Sequence, residues 1–121
     1  MVATSTVIAS NARFAKEQHT EAVCVFAGAT AGIGLATIKK LAALLHSSTF
    51  YILGRSPARY TNHLTQLKQI GPSNKFTFIE AQVSLISEID AACHQITSSE
   101  NKIDYLCMSP GGVPWAGAAC M

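Results

Sequence analysis

The residues of this 121-residue chain best placed to do chemistry stand near its start, in the run Ala27-Gly28-Ala29-Thr30-Ala31-Gly32-Ile33-Gly34. Glycine has no Cβ, so it adopts φ > 0 at little cost and lets the main chain approach a ligand closely. Where such a turn opens a helix, the free N–H groups and the helix dipole suit a phosphate. Gly28, Thr30, Gly32, Ile33 and Gly34 are therefore candidate contacts for the phosphates of a nucleotide. A turn that serves only tight strand–helix packing is the alternative. Two familiar loops are excluded by counting. A Walker loop needs Lys and then Ser or Thr after its last glycine, where Leu35 and Ala36 stand, and G-x-G-x-x-G/A started at Gly32 meets Thr37. What remains is G-x-x-x-G-x-G.

A second feature lies 20 residues beyond Gly34, about where dinucleotide-binding turns are followed by an acid for the ribose 2′-hydroxyl. The chain has Gly54 there, and then Arg55. A glycine leaves room for a 2′-phosphate and a guanidinium can pair with it, so Arg55 predicts NADP (NADPH) rather than NAD as cofactor. A solvated loop arginine is the plainer alternative.

The flanks set these residues at the ends of strands. Ala22-Val23-Cys24-Val25-Phe26 is a short apolar run of the kind a buried parallel strand shows, and Leu35, Ile38, Leu41, Ala42 and Leu45 then recur at helical spacing. Phe50-Tyr51-Ile52-Leu53 reads as a second strand. Ser56 as N-cap, Pro57 at the first helical position and Gly71-Pro72 as a stop bound a second helix, with Tyr60, Leu64 and Leu67 as its buried stripe. A third strand lies between Lys75 and Val83. Ser87 and Asp90 resemble a capping box before a third helix, whose stripe is Ile89, Ala92, Cys93 and Ile96. Ile103 to Met108 forms a fourth strand. Ser5 to Lys16 predicts a leading helix, with Val7, Ile8 and Phe14 available to pack on the sheet.

Strict alternation of strand and helix implies an α/β fold with a parallel sheet and right-handed crossovers. The expected strand order is 3-2-1-4, the first half of a doubly wound Rossmann sheet, with ligand over the carboxyl ends of the first and fourth strands. Three segments follow: a helical lead-in over 1–20, a partial dinucleotide-binding domain over 21–112 and a short apolar tail over 113–121.

Composition narrows the function classes. The chain is 49% hydrophobic and only 13% charged, so it has little polar surface with which to cover an apolar interior, as suits a piece of a larger fold. Its net charge of +2 is spread thinly and no basic cluster exceeds Lys39-Lys40, which gives no support to nucleic-acid binding. No apolar run reaches the roughly 18 residues of a membrane span and no leader pattern opens the chain, so the expectation is a cytoplasmic protein without membrane contact. Cys24, Cys93, Cys107 and Cys120, like the four histidines, lack ligand spacing; no metal site is expected.

With the glycine turn, Gly54-Arg55 and the β-α alternation together, the chain resembles the short-chain dehydrogenase/reductase family over nearly its whole length. Gly54-Arg55-Ser56, Leu106-Cys107-Met108-Ser109-Pro110-Gly111 and Ala9-Ser10-Asn11-Ala12-Arg13 are similar to the fungal reductases of secondary-metabolite gene clusters. The resemblance implies that Gln82 and Val83 meet the adenine, at a position where the family usually has Asp followed by Val or Leu. Ser109 and Gly111 belong to the segment where it has Asn-Ala-Gly, so Ser109 departs from the pattern.

The family's chemistry is hydride transfer between a nicotinamide and a carbonyl or alcohol carbon, with a Tyr as proton donor, a Lys four residues later and a Ser on the fifth strand. Tyr51, Tyr60 and Tyr105 are followed at that spacing by Arg55, Leu64 and Ser109, so no catalytic residue is assigned. The expectation is a family oxidoreductase truncated before Tyr-x-x-x-Lys and lacking catalysis of its own. A non-catalytic nucleotide-binding half-domain and an inactive gene relic are the alternatives. The outer edge of the fourth strand has no partner in the sequence, which predicts self-association or a second chain.

Overall fold

A computed structural model describes residues 1–17 and 19–109. The elements run α1 (Thr4–Lys16), β1 (His19–Thr20), β2 (Val23–Ala27), α2 (Gly32–Leu44), β3 (Leu45–His46), β4 (Thr49–Gly54), α3 (Pro57–Ile70), β5 (Lys75–Glu80), α4 (Ile86–Ser99) and β6 (Tyr105–Met108). Four strands form a sheet in the order β5-β4-β2-β6, every neighbour parallel, which is the predicted 3-2-1-4. The two-residue strands β1 and β3 pair separately, also in parallel.

Side chains alternate across each strand, so the sheet sends two sets of apolar groups to opposite faces. Cys24, Phe26, Phe50 and Ile52 meet Ile38 and Ala42 of α2 and Tyr60 and Leu67 of α3 on one face. Val23, Val25, Ala27, Tyr51, Leu53 and Ile79 meet Ala92 and Ile96 of α4 on the other. Covered on both sides, β2 is buried at all five residues, which explains its continuous apolar run. A row of rings crosses the first face, Phe26 to Phe50 at 6.3 Å and Phe50 to Phe76 at 5.0 Å between centroids.

Helix ends carry the main differences from the sequence reading. Ser56 caps α3, its hydroxyl accepting from the Arg59 N–H, with Pro57 in the first turn as expected. Ser87 caps nothing: α4 starts at Ile86 after Leu85, and no side chain bonds its first turn as a cap. Cys93 is exposed, because the buried stripe of α4 is narrowed to Ala92 and Ile96. Val7 and Ile8 stay 46% and 63% exposed, since α1 buries no residue; Phe14 instead stacks on His19 at 3.8 Å. Asn74, which no sequence pattern marks, is buried and ties the end of α2 to the turn before β4. Its Nδ2 donates to the carbonyls of Ala42 and Leu45 at the end of α2, and its Oδ1 accepts from the Ser48 N–H. Carbonyls that the helix leaves without partners are thereby satisfied.

Candidate functional site

At the carboxyl end of β2 the chain must leave the sheet and enter α2 within a few residues. It does so with Gly28 at φ +91° and Gly32 at φ +61°, both in the region that favours glycine. Gly34 serves closeness instead: a Cβ there would lie 2.5 Å from the Gly28 carbonyl oxygen and 2.8 Å from the Ser109 hydroxyl. The turn is also held from outside. Buried Tyr60 donates its hydroxyl to the Ala29 carbonyl at 3.1 Å, and burial pushes its pKa up to about 12, so it remains a donor.

The residue preceding α2 is Ala31, which has no side-chain oxygen, and no side chain caps this helix. The first-turn N–H groups of Gly32, Ile33 and Gly34 thus face an end built without an acceptor of its own, in contrast to α3 with Ser56. Ile33 contributes main chain only, its side chain being 83% exposed.

Neighbouring strand ends complete the site. β4 finishes at Gly54, followed by exposed Arg55, and the Gly54 carbonyl accepts from the Ala81 N–H at 2.8 Å. After β5, the Gln82 main-chain N–H donates to the Glu88 carboxylate and its Nε2 donates to the Ser84 hydroxyl at 3.0 Å. In that amide orientation Oε1 is left as an acceptor. Glu88 was missed in the sequence, where an acid in the first turn of a helix reads as a dipole partner rather than as a clamp on the preceding loop. Ser109, just past β6, donates its N–H to Ala27 at 2.9 Å and its hydroxyl to Gly28 at 3.4 Å.

These ends enclose a cleft of about 530 Å³. Of the residues singled out in the sequence, Gly28, Thr30, Arg55, Gln82, Val83 and Ser109 line it, together with Ala31, Leu53, Gly54, Ala81 and Ser84. Gly32, Ile33 and Gly34 are not part of its wall, and Gly111 lies outside the described residues, as do Cys120 and the tail from 113. Among the described lining residues Arg55 is the one charged side chain, which favours an anion in the cleft.

The short chain dehydrogenase family model matches residues 22–119. This chain belongs to the short-chain dehydrogenase family. An oxidoreductase of Emericella nidulans is 44% identical to it over 117 residues, covering 97% of this chain but 34% of the relative. L-sorbose reductase from Gluconobacter frateurii, solved with NADPH and L-sorbose, superposes with a TM-score of 0.67 at 22% identity, over 84% of this chain and 39% of that one. NAD⁺-bound xylitol dehydrogenase does so with a TM-score of 0.63 at 20% identity, over 74% and 33%. This short-chain dehydrogenase chain therefore spans about a third of the length of the relatives it matches.

Elsewhere, among the described residues, no group of three or more His, Cys, Asp and Glu could hold a metal, and no helix is long and apolar enough to cross a membrane. Cys24 is buried, and burial with the nearby Asp104 charge raises its thiol to about 12, far from a nucleophile.

Proposed function

We propose that this chain is the nucleotide-binding part of an NADP(H)-dependent short-chain reductase acting on carbonyl and alcohol groups. The observation that carries the reading is a cleft at the carboxyl ends of β2 and β4 in which, among the described lining residues, Arg55 is the one charged side chain and Ala31 marks the uncapped start of α2. The first-turn N–H groups of α2 would hold the pyrophosphate, Arg55 the 2′-phosphate, and Gln82 Oε1 with the Val83 main chain the adenine edge. Ser109 leads toward the nicotinamide half, and the family resemblance alone assigns Gly111 to the cofactor. When bound, the dinucleotide supplies the hydride.

Proton donation is a separate matter. None of Tyr51, Tyr60 and Tyr105 has a lysine four residues on, and Tyr51 and Tyr60 are buried in the two cores. The chain by itself therefore binds without turnover, whether as a segment of a longer reductase or as a non-catalytic nucleotide-binding module. We assign it to fungal secondary-metabolite biosynthesis from the wording it shares with such reductases, and to the cytosol, where free thiols such as Cys24 and Cys107 stay reduced. The dinucleotide-binding unit is 21–112, with 1–20 as lead-in and 113–121 as tail. Among the described residues the outer edge of β6 is unpaired; there it takes a further strand from a second copy or another polypeptide, and a well-behaved monomer in sedimentation would count against that association.

Titration calorimetry with NADPH and NADH tests the central reading. NADPH is expected to bind at least tenfold more tightly, and Arg55→Ala to reduce that preference about tenfold, the worth of one charge-assisted hydrogen bond. Equal binding of both dinucleotides by the unaltered chain would remove the Arg55 assignment.

A further inference from the structure

Gly54 is a glycine for a reason its backbone does not supply. Unlike Gly28 and Gly32, it is not in the left-handed region. It continues the face of β4 on which Phe50 and Ile52 are buried, and the adjacent strand brings Phe78 level with Ile52. A Cβ on residue 54 would lie 2.8 Å from Phe78 Cζ, 3.2 Å from Phe78 Cε2 and 3.5 Å from Thr30 Cγ2. The first two are closer than carbon atoms pack.

Phe78 is half-buried, and its ring can shift only at a cost to the neighbour on which it rests. Its ring rests on Tyr60 at 5.2 Å between centroids, and Tyr60 is buried with its hydroxyl committed to Ala29. Moving the ring disturbs the side chain that holds the glycine turn.

We propose that Phe78 is a specificity-determining residue, whose ring occupies the space a side chain at position 54 needs and so bars a carboxylate from the ribose end of the cleft. Such a carboxylate is what accepts from a ribose 2′-hydroxyl in NAD-binding relatives of this fold. The preference for a 2′-phosphate then has two parts, the cation at Arg55 and the exclusion of an anion beside it by a neighbouring strand. This rests on the dinucleotide reading of the cleft, and it implies that acid at position 54 becomes acceptable only when residue 78 shrinks.

The test is a cycle of Gly54→Ala, Phe78→Leu and the double variant, read by thermal unfolding of the full chain. Gly54→Ala is expected to lower the midpoint by about 4–8 °C with Phe78 present and by less than half as much in the Phe78→Leu background. Equal shifts in both backgrounds overturn the proposal. Should Gly54→Ala fail to fold, recovery of folded protein in the double variant supports the proposal and failure in both overturns it. Calorimetry then compares Gly54→Asp with Gly54→Asp/Phe78→Leu. NADH affinity is expected to rise at least tenfold in the second relative to the first, and no rise overturns the selection role. If the unaltered chain binds neither dinucleotide, the reading of the cleft fails and selection fails with it, whereas binding with an additive cycle removes Phe78 alone.

Discussion

β2 and β6 are neighbours in one parallel ladder, yet they are held in opposite ways. Every residue of β2 is buried between helices, while Leu106 and Met108, paired with Val25 and Ala27, are 62% and 66% exposed. α4 covers β2 and β4 on that face and leaves β6 bare. Besides its ladder to β2 and the packing of Cys107 on the first core, what fastens β6 is polar and sits at its ends. Asp104 donates its N–H to the Val23 carbonyl and accepts the Val23 N–H on its carboxylate, both at 2.8 Å, and Ser109 bonds the Ala27 carbonyl at the other end. The strand at one side of the cleft is thus fixed mainly by packing, and the strand at the other mainly by hydrogen bonds.

Core truncation gives the largest expected contrast. Phe50→Ala removes a fully buried ring stacked between Phe26 and Phe76 and should cost about 3–5 kcal/mol, whereas Leu106→Ala should cost under about 0.5 kcal/mol. Urea unfolding at constant protein concentration measures both, and losses of similar size would erase the distinction between the strands.

Tyr60→Phe probes the link from the packed side to the cleft. It leaves the Ala29 carbonyl buried without its donor, at a cost of about 1–3 kcal/mol, and should weaken NADPH binding beyond what Arg55→Ala does to selectivity. Unchanged affinity with lowered stability would confine Tyr60 to the core and separate turn geometry from helix packing.

The same contrast explains what could be read from the sequence. Features that repeat along the chain were legible: the apolar runs of β2 and β4, the helical spacing from Leu35 to Ala42, and Ser56-Pro57 at the start of α3. Each is a local pattern whose physical cause lies within a few residues. The contacts that shape the cleft join residues far apart in sequence. Phe78 meets Gly54 only because β4 and β5 pair in a particular register, and Tyr60 finds Ala29 across 31 positions. Ser87 looked like a cap because its spacing to Asp90 fits one, but the loop is instead tied by Glu88 to Gln82. Cys93 and Val7 misled for a related reason: periodicity marks which residues could be covered, and α4 and α1 have less above them than their patterns allow.

The smallest effect concerns the polar end of β6 and depends on pH. The Val23 N–H, the Lys102 hydrogen bond and the Lys102 charge hold the Asp104 carboxyl below its usual value. A carboxyl whose pKa is depressed by folding stabilises the folded chain above its unfolded pKa, and that contribution is lost as pH falls through the folded value. Stability should therefore decline on acidification from about pH 5, and Asp104→Asn should flatten the Asp104 share of that decline. Amide exchange localises the effect. At neutral pH the variant should lose protection first at Tyr105 to Met108, with β4 and β5 unchanged, because edge strands open without the core. Added salt weakens the exposed Lys102 pair but leaves the Val23 bond, so protection of β6 in the unaltered chain should survive salt better than it survives acid. Loss of protection spread evenly over all four strands would mean that β6 shares the packed core's stability and that its ends hold nothing of their own.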